Sequence, residues 1–139
     1  MGRLLGLDVG ARRTGMATTD ELQIICSPLK TIETVELTKE IEQLHASSPF
    51  EAIVVGKPNL IVSADTDATE VISDVVAKLT KHFPSLPVHF VDESHTSAEA
   101  SAIQRAGGMK KSQRRAKGSL DAIAASLILQ RHLDAQSYL

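Results

Sequence analysis

Three short stretches of this 139-residue chain carry acids in positions that ask for a reason. Asp8 interrupts the apolar run of "LLGLDVG", Asp92 and Glu93 follow the apolar "PVHFV", and Asp121 stands in "KGSLDAIAASLILQ". A carboxylate on an apolar strand costs several kcal/mol unless hydrogen bonds or an opposite charge compensate it. Each acid taken singly has a local explanation: turn amides for Asp8, helix capping for Glu93 or Asp92, and the helix dipole for Asp121. Taken together they point elsewhere. Neighbouring carboxylates raise each other's pKa, and burial adds to that, so three of them stay ionised side by side only around a cation. Oxygen-only donors favour a hard divalent ion, Mg²⁺ or Mn²⁺. Two such ions about 4 Å apart can activate water and stabilise the leaving oxygen in phosphodiester cleavage. The acids chosen for this role are Asp8, Glu93 and Asp121.

A phosphodiester substrate needs positive charge beside the acids, and the net charge of −2 argues against indiscriminate binding of nucleic acid. The basic residues are instead concentrated. "RAGGMKKSQRRAK", just before Asp121, holds Lys110, Lys111, Arg114, Arg115 and Lys117 without a single acid. Arg12 and Arg13 follow the glycine turn after Asp8, and Lys57 closes "VVGK". These residues are the candidate nucleic-acid contacts; a solvated loop is the alternative reading of the longer run. "VVGKP" itself is no phosphate-binding P-loop, which needs Ser or Thr after Gly-Lys and an earlier glycine at set spacing.

The elements that must position these groups can be read from period and punctuation. Leu4 to Asp8 is a strand with Leu4, Gly6 and Asp8 on one face, and Gly6 leaves space beside Asp8. Gly10 to Arg13 is a turn and Thr14 to Thr19 a second strand. The run "QIICSPLKTI" is a third, and its Pro28 suits an edge or a bulge. Thr34 can cap a helix from Val35 to Ala46, with Leu37, Ile41 and Leu44 at helical spacing. "AIVVG" is a short buried strand; a helix from Asp67 to His82 follows, with Val71, Val75 and Leu79 on one face, and "PVHFV" is the last strand. Ser97 to Arg105 reads as helix and "AGGMKKSQRRAKG" as loop. Ser119 is a good N-cap for a final helix to Leu133, which puts Asp121 in its first turn, while Ala124, Ala125 and Ile128 let it lie close to the sheet. The whole is an α/β fold: three antiparallel strands extended by two parallel ones, with helices on both faces. Ligand sites of such sheets gather at the carboxyl ends of the parallel strands, where Asp8 and Glu93 would meet.

Residues 1–139 have the size of a single domain. Hydrophobic residues make up 42% and aromatic ones only 3%, so the core is built from Leu, Ile, Val and Ala, and disorder is excluded. The single Cys26 has no partner for an internal disulfide, which fits a reducing compartment. No export signal and no apolar run near the length of a membrane span is present, so a cytoplasmic protein that does not enter membranes is expected.

"LLGLDVGARRTGMATTDE", "AIVVGKP", "FVDESHTSAEA" and "KGSLDAIAASLILQRHLD" resemble, in order and spacing, the motif blocks of the YqgF/RuvX-type, Holliday-junction-resolvase-like nucleases. These are small bacterial proteins of the RNase H-like superfamily. The resemblance covers nearly the whole chain. It implies a five-stranded RNase H-like sheet, a nuclease dependent on Mg²⁺ or Mn²⁺, and a cytoplasmic role in processing the 5′ end of pre-16S ribosomal RNA. It also implies an acidic triad at Asp8, Glu93 and Asp121. The partners it implies are structured RNA, branched DNA as the alternative substrate, and pre-ribosomal particles, with the protein a monomer or a homodimer. The sequence departs from the family pattern in three places. Ser94 stands where Arg usually follows the acid pair, His95 where an apolar residue is common, and "NLIVSAD" lacks the usual Asp-Gly turn. Two other functions fit the same residues: Holliday junction resolution on DNA, which needs paired active sites and hence a homodimer, and a nucleic-acid- or ribosome-binding factor without turnover.

Overall fold

The computed structural model describes residues 2–57, 66–92 and 117–136. Five strands form one sheet: β1 (Arg3–Val9), β2 (Arg13–Thr19), β3 (Cys26–Glu33), β4 (Phe50–Lys57) and β5 (Val88–Asp92). Their order is β3-β2-β1-β4-β5. The β1–β2 and β2–β3 pairs are antiparallel, and β1–β4 and β4–β5 are parallel, as the sequence pattern requires. Among the described residues three α-helices accompany them: α1 (Leu37–Ser47), α2 (Thr66–His82) and α3 (Lys117–Gln136).

Alternation along β1 divides the molecule. Leu5, Leu7 and Val9 turn to one side and join Met16, Ile53 and Val55 in a core covered by α1 and α2 through Leu37, Ile41, Ile72, Val75 and Leu79. Leu4, Gly6 and Asp8 turn to the other side, where Leu4, Ala17, Ala52 and Val54 pack against Ala125, Ile128 and Leu129 of α3. β3 is an edge strand, and its pairing with β2 shifts register between Met16 and Ala17, across from Lys30 and Pro28. The proline therefore sits beside a bulge on an edge, where its missing N–H costs no ladder bond.

Several expected boundaries move, each for a local reason. The third strand starts at Cys26 rather than Gln23: Gln23 takes φ 58° in a turn, and the Asp20 carboxylate accepts the amides of Ile24 and Ile25 at 2.7 and 2.9 Å. Those amides lower the Asp20 pKa. Thr34 does not cap α1. Its hydroxyl donates instead to the Gly10 carbonyl at 2.6 Å, and a single 3₁₀ turn over Thr34–Glu36 precedes the α-helix. Ile72, rather than Val71, is buried with Val75 and Leu79. The last helix begins two residues before Ser119, which is inside the helix and not its cap, so Lys117 and Gly118 are not loop. Asp121 accordingly lies beyond the first turn. The expected helix over Ser97 to Arg105 falls outside the described residues. Within the described residues no helix is long and apolar enough to cross a membrane.

Candidate nuclease site

Asp8 and Asp121 are brought together by a glycine. Asp8 stands opposite Gly15 in the β1–β2 ladder. A Cβ added to Gly15 would come within 2.0 Å of the Asp121 carbonyl oxygen and 2.8 Å of the Ala122 nitrogen. Real Cβ atoms do not approach backbone that closely, so the absent side chain is what allows α3 to rest on β2 at this point. Gly6 serves the same helix lower down, where a Cβ would lie 2.4 Å from Leu129 Cγ. The space at Gly6 is thus filled by α3 and is not left open for Asp8, as the alternation alone suggested. Ala122, Ala124 and Ala125 are buried along the contacting side of the helix. Glycine and alanine together bring the α3 main chain, and with it Asp121, to the carboxyl end of β1.

The turn between β1 and β2 holds the two arginines beside these acids. Gly10 N–H donates to the Arg13 carbonyl at 2.9 Å, and Thr34 N–H donates to the Arg12 carbonyl at 2.9 Å. The Thr34 hydroxyl also meets that of Thr14 at 2.9 Å. Thr34, at the end of β3, thereby pins the turn from the side. Arg12 and Arg13 remain exposed. Arg13 Nε lies 3.9 Å from Asp121 Oδ2, with the two side chains 41% and 30% exposed. An open cleft of about 660 Å³ runs over this ground, lined by Gly10, Ala11, Arg12, Arg13, Glu33 and Asp121. It offers phosphates two guanidinium groups, the side chains best shaped to hold them in pairs of hydrogen bonds.

The other sequence candidates are distributed as follows. Lys57 ends β4 at the same edge of the sheet but over the opposite face, its ammonium 4.0 Å above the Phe90 ring. Glu93, Lys110, Lys111, Arg114 and Arg115, together with Ser94 and His95, lie outside the described residues, and Lys117 is the first residue of α3. Asp92 closes β5, and its carbonyl accepts from Arg131 Nη1 at 2.8 Å. Sequence reasoning missed Gly15, Thr34 and Glu33. Gly15 had a readable signal, since it shares a face with Gly6 and with the Ala-rich helix; the other two had none.

The donor set suits a hard divalent cation. Asp8 and Asp121 supply oxygen only, and an ion such as Mg²⁺ needs just one or two carboxylates when waters and substrate phosphate complete its shell. Among the described residues no group of three or more His, Cys, Asp or Glu could hold a metal ion. Cys26 takes no part: burial, then the charges of Asp134 and Asp20, push its thiol up to about 11, so it stays protonated and inert.

Known proteins match this chain over nearly its whole length. A protein of Phocaeicola vulgatus named "Putative pre-16S rRNA nuclease" is 39% identical over 139 residues, covering all of both chains. One of Chlorobium luteolum with the same name is 40% identical, over 96% of this chain and 94% of its own. Among solved structures, Thermus thermophilus RuvC in complex with a Holliday junction substrate covers 98% of this chain and 97% of its own, at TM-score 0.61 and 12% identity. That is a likeness of fold, and it makes this sheet a RuvC-like, RNase H-like one. Residues 2–135 match the RuvX family, described as Holliday junction resolvase, and the chain belongs to that family.

Proposed function

We propose that this protein is a divalent-metal-dependent endonuclease that trims the 5′ end of pre-16S ribosomal RNA, with Asp8, Glu93 and Asp121 as its metal-holding acids. One observation carries the reading: Gly15, the ladder partner of Asp8, is in contact with the Asp121 main chain, and Asp121 lines a cleft together with Arg12 and Arg13. The names of the curated relatives supply the substrate. When bound, the metal would lower the pKa of a water and offset charge on the leaving oxygen. The protein's own share is to fix the acids through the β1–β2 ladder and α3, and to hold the phosphates flanking the scissile bond with Arg12 and Arg13. Lys57, Lys110, Lys111, Arg114, Arg115 and Lys117 would extend that hold along structured RNA, within pre-ribosomal particles in the cytoplasm.

Cleavage of a pre-16S leader with Mg²⁺ or Mn²⁺ tests the proposal. Asp8→Asn should reduce the rate at least about a hundredfold, the scale on which a single electrostatic catalytic group acts, with the circular dichroism spectrum unchanged. Full activity in that variant sinks the proposal. The RuvC-like fold favours a second reading, Holliday junction resolution by a homodimer. It is the better one if four-way junctions are cut faster than the leader and sedimentation shows a dimer.

A further inference from the structure

The cleft already contains a cation, Arg13, and it lies beside the expected metal ligand Asp121. Arg13 shares its face of β2 with Gly15, on the side that receives α3. Its Nε reaches Asp121 Oδ2 at 3.9 Å, a single contact at the outer limit of an ion pair and not the two-pronged arrangement that makes Arg–carboxylate pairs strong. Arg13 is exposed and Asp121 partly so, and ion pairs open to solvent in this way are weak and readily exchanged. The two partners differ in freedom. Asp121 has its main chain seated against Gly15, while Arg13 carries its charge at the end of a long side chain. Arg13 also has a second acid within reach, because its partner in the β2–β3 ladder is Glu33, which lines the same cleft.

We propose that Arg13 is an exchangeable counterion: it neutralises Asp121 until a divalent cation replaces it, and is thereby released to a substrate phosphate in the same cleft. A cation on Asp121 repels the guanidinium, whose new neighbours are Glu33 and whatever anion enters the cleft. A phosphate that takes up Arg13 in turn leaves Asp121 to the metal. Metal and polynucleotide therefore bind cooperatively, each raising the affinity of the other by the same factor. The inference rests on Asp121 being a metal ligand, as proposed above.

Mn²⁺ affinity measured by calorimetry without RNA, and affinity for a labelled leader RNA measured with and without non-cleaving Ca²⁺, test it on the intact chain. Removing a competing surface ion pair predicts that Arg13→Gln binds Mn²⁺ about two- to five-fold more tightly than the natural protein. The same variant should bind RNA more weakly in Ca²⁺, with most of the enhancement by Ca²⁺ lost. Arg12→Gln removes an equal charge from the same turn without touching Asp121; it should weaken RNA binding and leave Mn²⁺ affinity where it was. Unchanged or weaker Mn²⁺ binding by Arg13→Gln overturns the proposal, as does an equal gain in Arg12→Gln. Asp121→Asn separates the two levels of failure: if it binds Mn²⁺ as well as the natural protein, the metal-site reading is itself wrong.

Discussion

The two faces of the sheet solve different problems with different residues. The α1/α2 face is filled by large side chains, Leu5, Leu7, Met16, Ile53 and Leu79 among them, all at most 1% exposed. The α3 face also buries Leu4, Val54, Ile128 and Leu129, but it alone places Gly6, Gly15, Ala17 and Ala52 against a helix that carries Ala122 and Ala125. Large side chains hold a helix away from the strands and bury much apolar area, which stabilises. Small ones bury less but let main chain approach main chain, which fixes position. The first face makes the molecule stable, and the second locates Asp121 beside Asp8. A substitution on one face should therefore be felt mainly in stability, and on the other mainly in the site.

The largest expected loss of stability comes from the first face. Leu79→Ala, in α2 and 1% exposed, should cost about 2–5 kcal/mol through lost burial and the cavity left behind. Denaturant unfolding would measure that cost. Mn²⁺ affinity, measured where the variant is still folded, should stay unchanged; a tenfold loss would mean that the faces are not separable. This division was largely legible in the sequence. The alternation of "LLGLDV" sorts Leu5 and Leu7 from Gly6 and Asp8 without ambiguity, and helical spacing names Leu37, Ile41, Val75 and Leu79. Patterns of this kind survive because a one-residue slip would turn every side chain to the wrong side.

Gly15→Ala makes the opposite prediction. A methyl group 2.0 Å from the Asp121 carbonyl must push α3 off the strand. Overpacking of this kind costs about 1–3 kcal/mol, less than the cavity on the other face. Its effect on the site should be greater, a loss of at least about tenfold in Mn²⁺ affinity, comparable to removing the groups that support metal ligands. Retained affinity would show that the glycine contact does not place Asp121. The local details here were the least legible. Gly118 reads as the end of the basic loop and Ser119 as a cap, yet the helix runs through both, since the propensity of two residues is a weak signal beside the seating of the next turn on Gly15. Thr34 likewise reads as a cap, but its hydroxyl belongs to the turn that carries Arg12 and Arg13. Such diversions depend on contacts between residues more than twenty positions apart, which no local pattern contains.

The smallest effect concerns the far end of α3, where this face buries a titratable group. His132 is 9% exposed and stacks on His89 of β5 with ring centroids 5.2 Å apart. Beside it, Arg131 donates to the Asp92 carbonyl at the end of that strand. Burial first, and the neighbouring imidazole second, lower the His132 pKa below its ordinary 6.5. The unfolded chain therefore takes up this proton at a higher pH than the folded one does. The associated stability is intact above about pH 6.5 and is lost as the pH falls from there through the lower folded value. Between pH 7.5 and 5.5 the melting temperature should fall, and His132→Leu should reduce that fall, since a leucine has no proton to gain. Hydrogen exchange would locate the change. Amides of α3 and β5 should gain exchange on acidification before those of α1 and α2, because among the described residues the fully buried side chains of the α1/α2 core are aliphatic, Met and Phe, with the hydroxyl of Thr14, and its one imidazole, His45, is only half-buried. Equal loosening of both sides would mean that acid acts through the whole fold and that the histidine pair does not single out the α3 face.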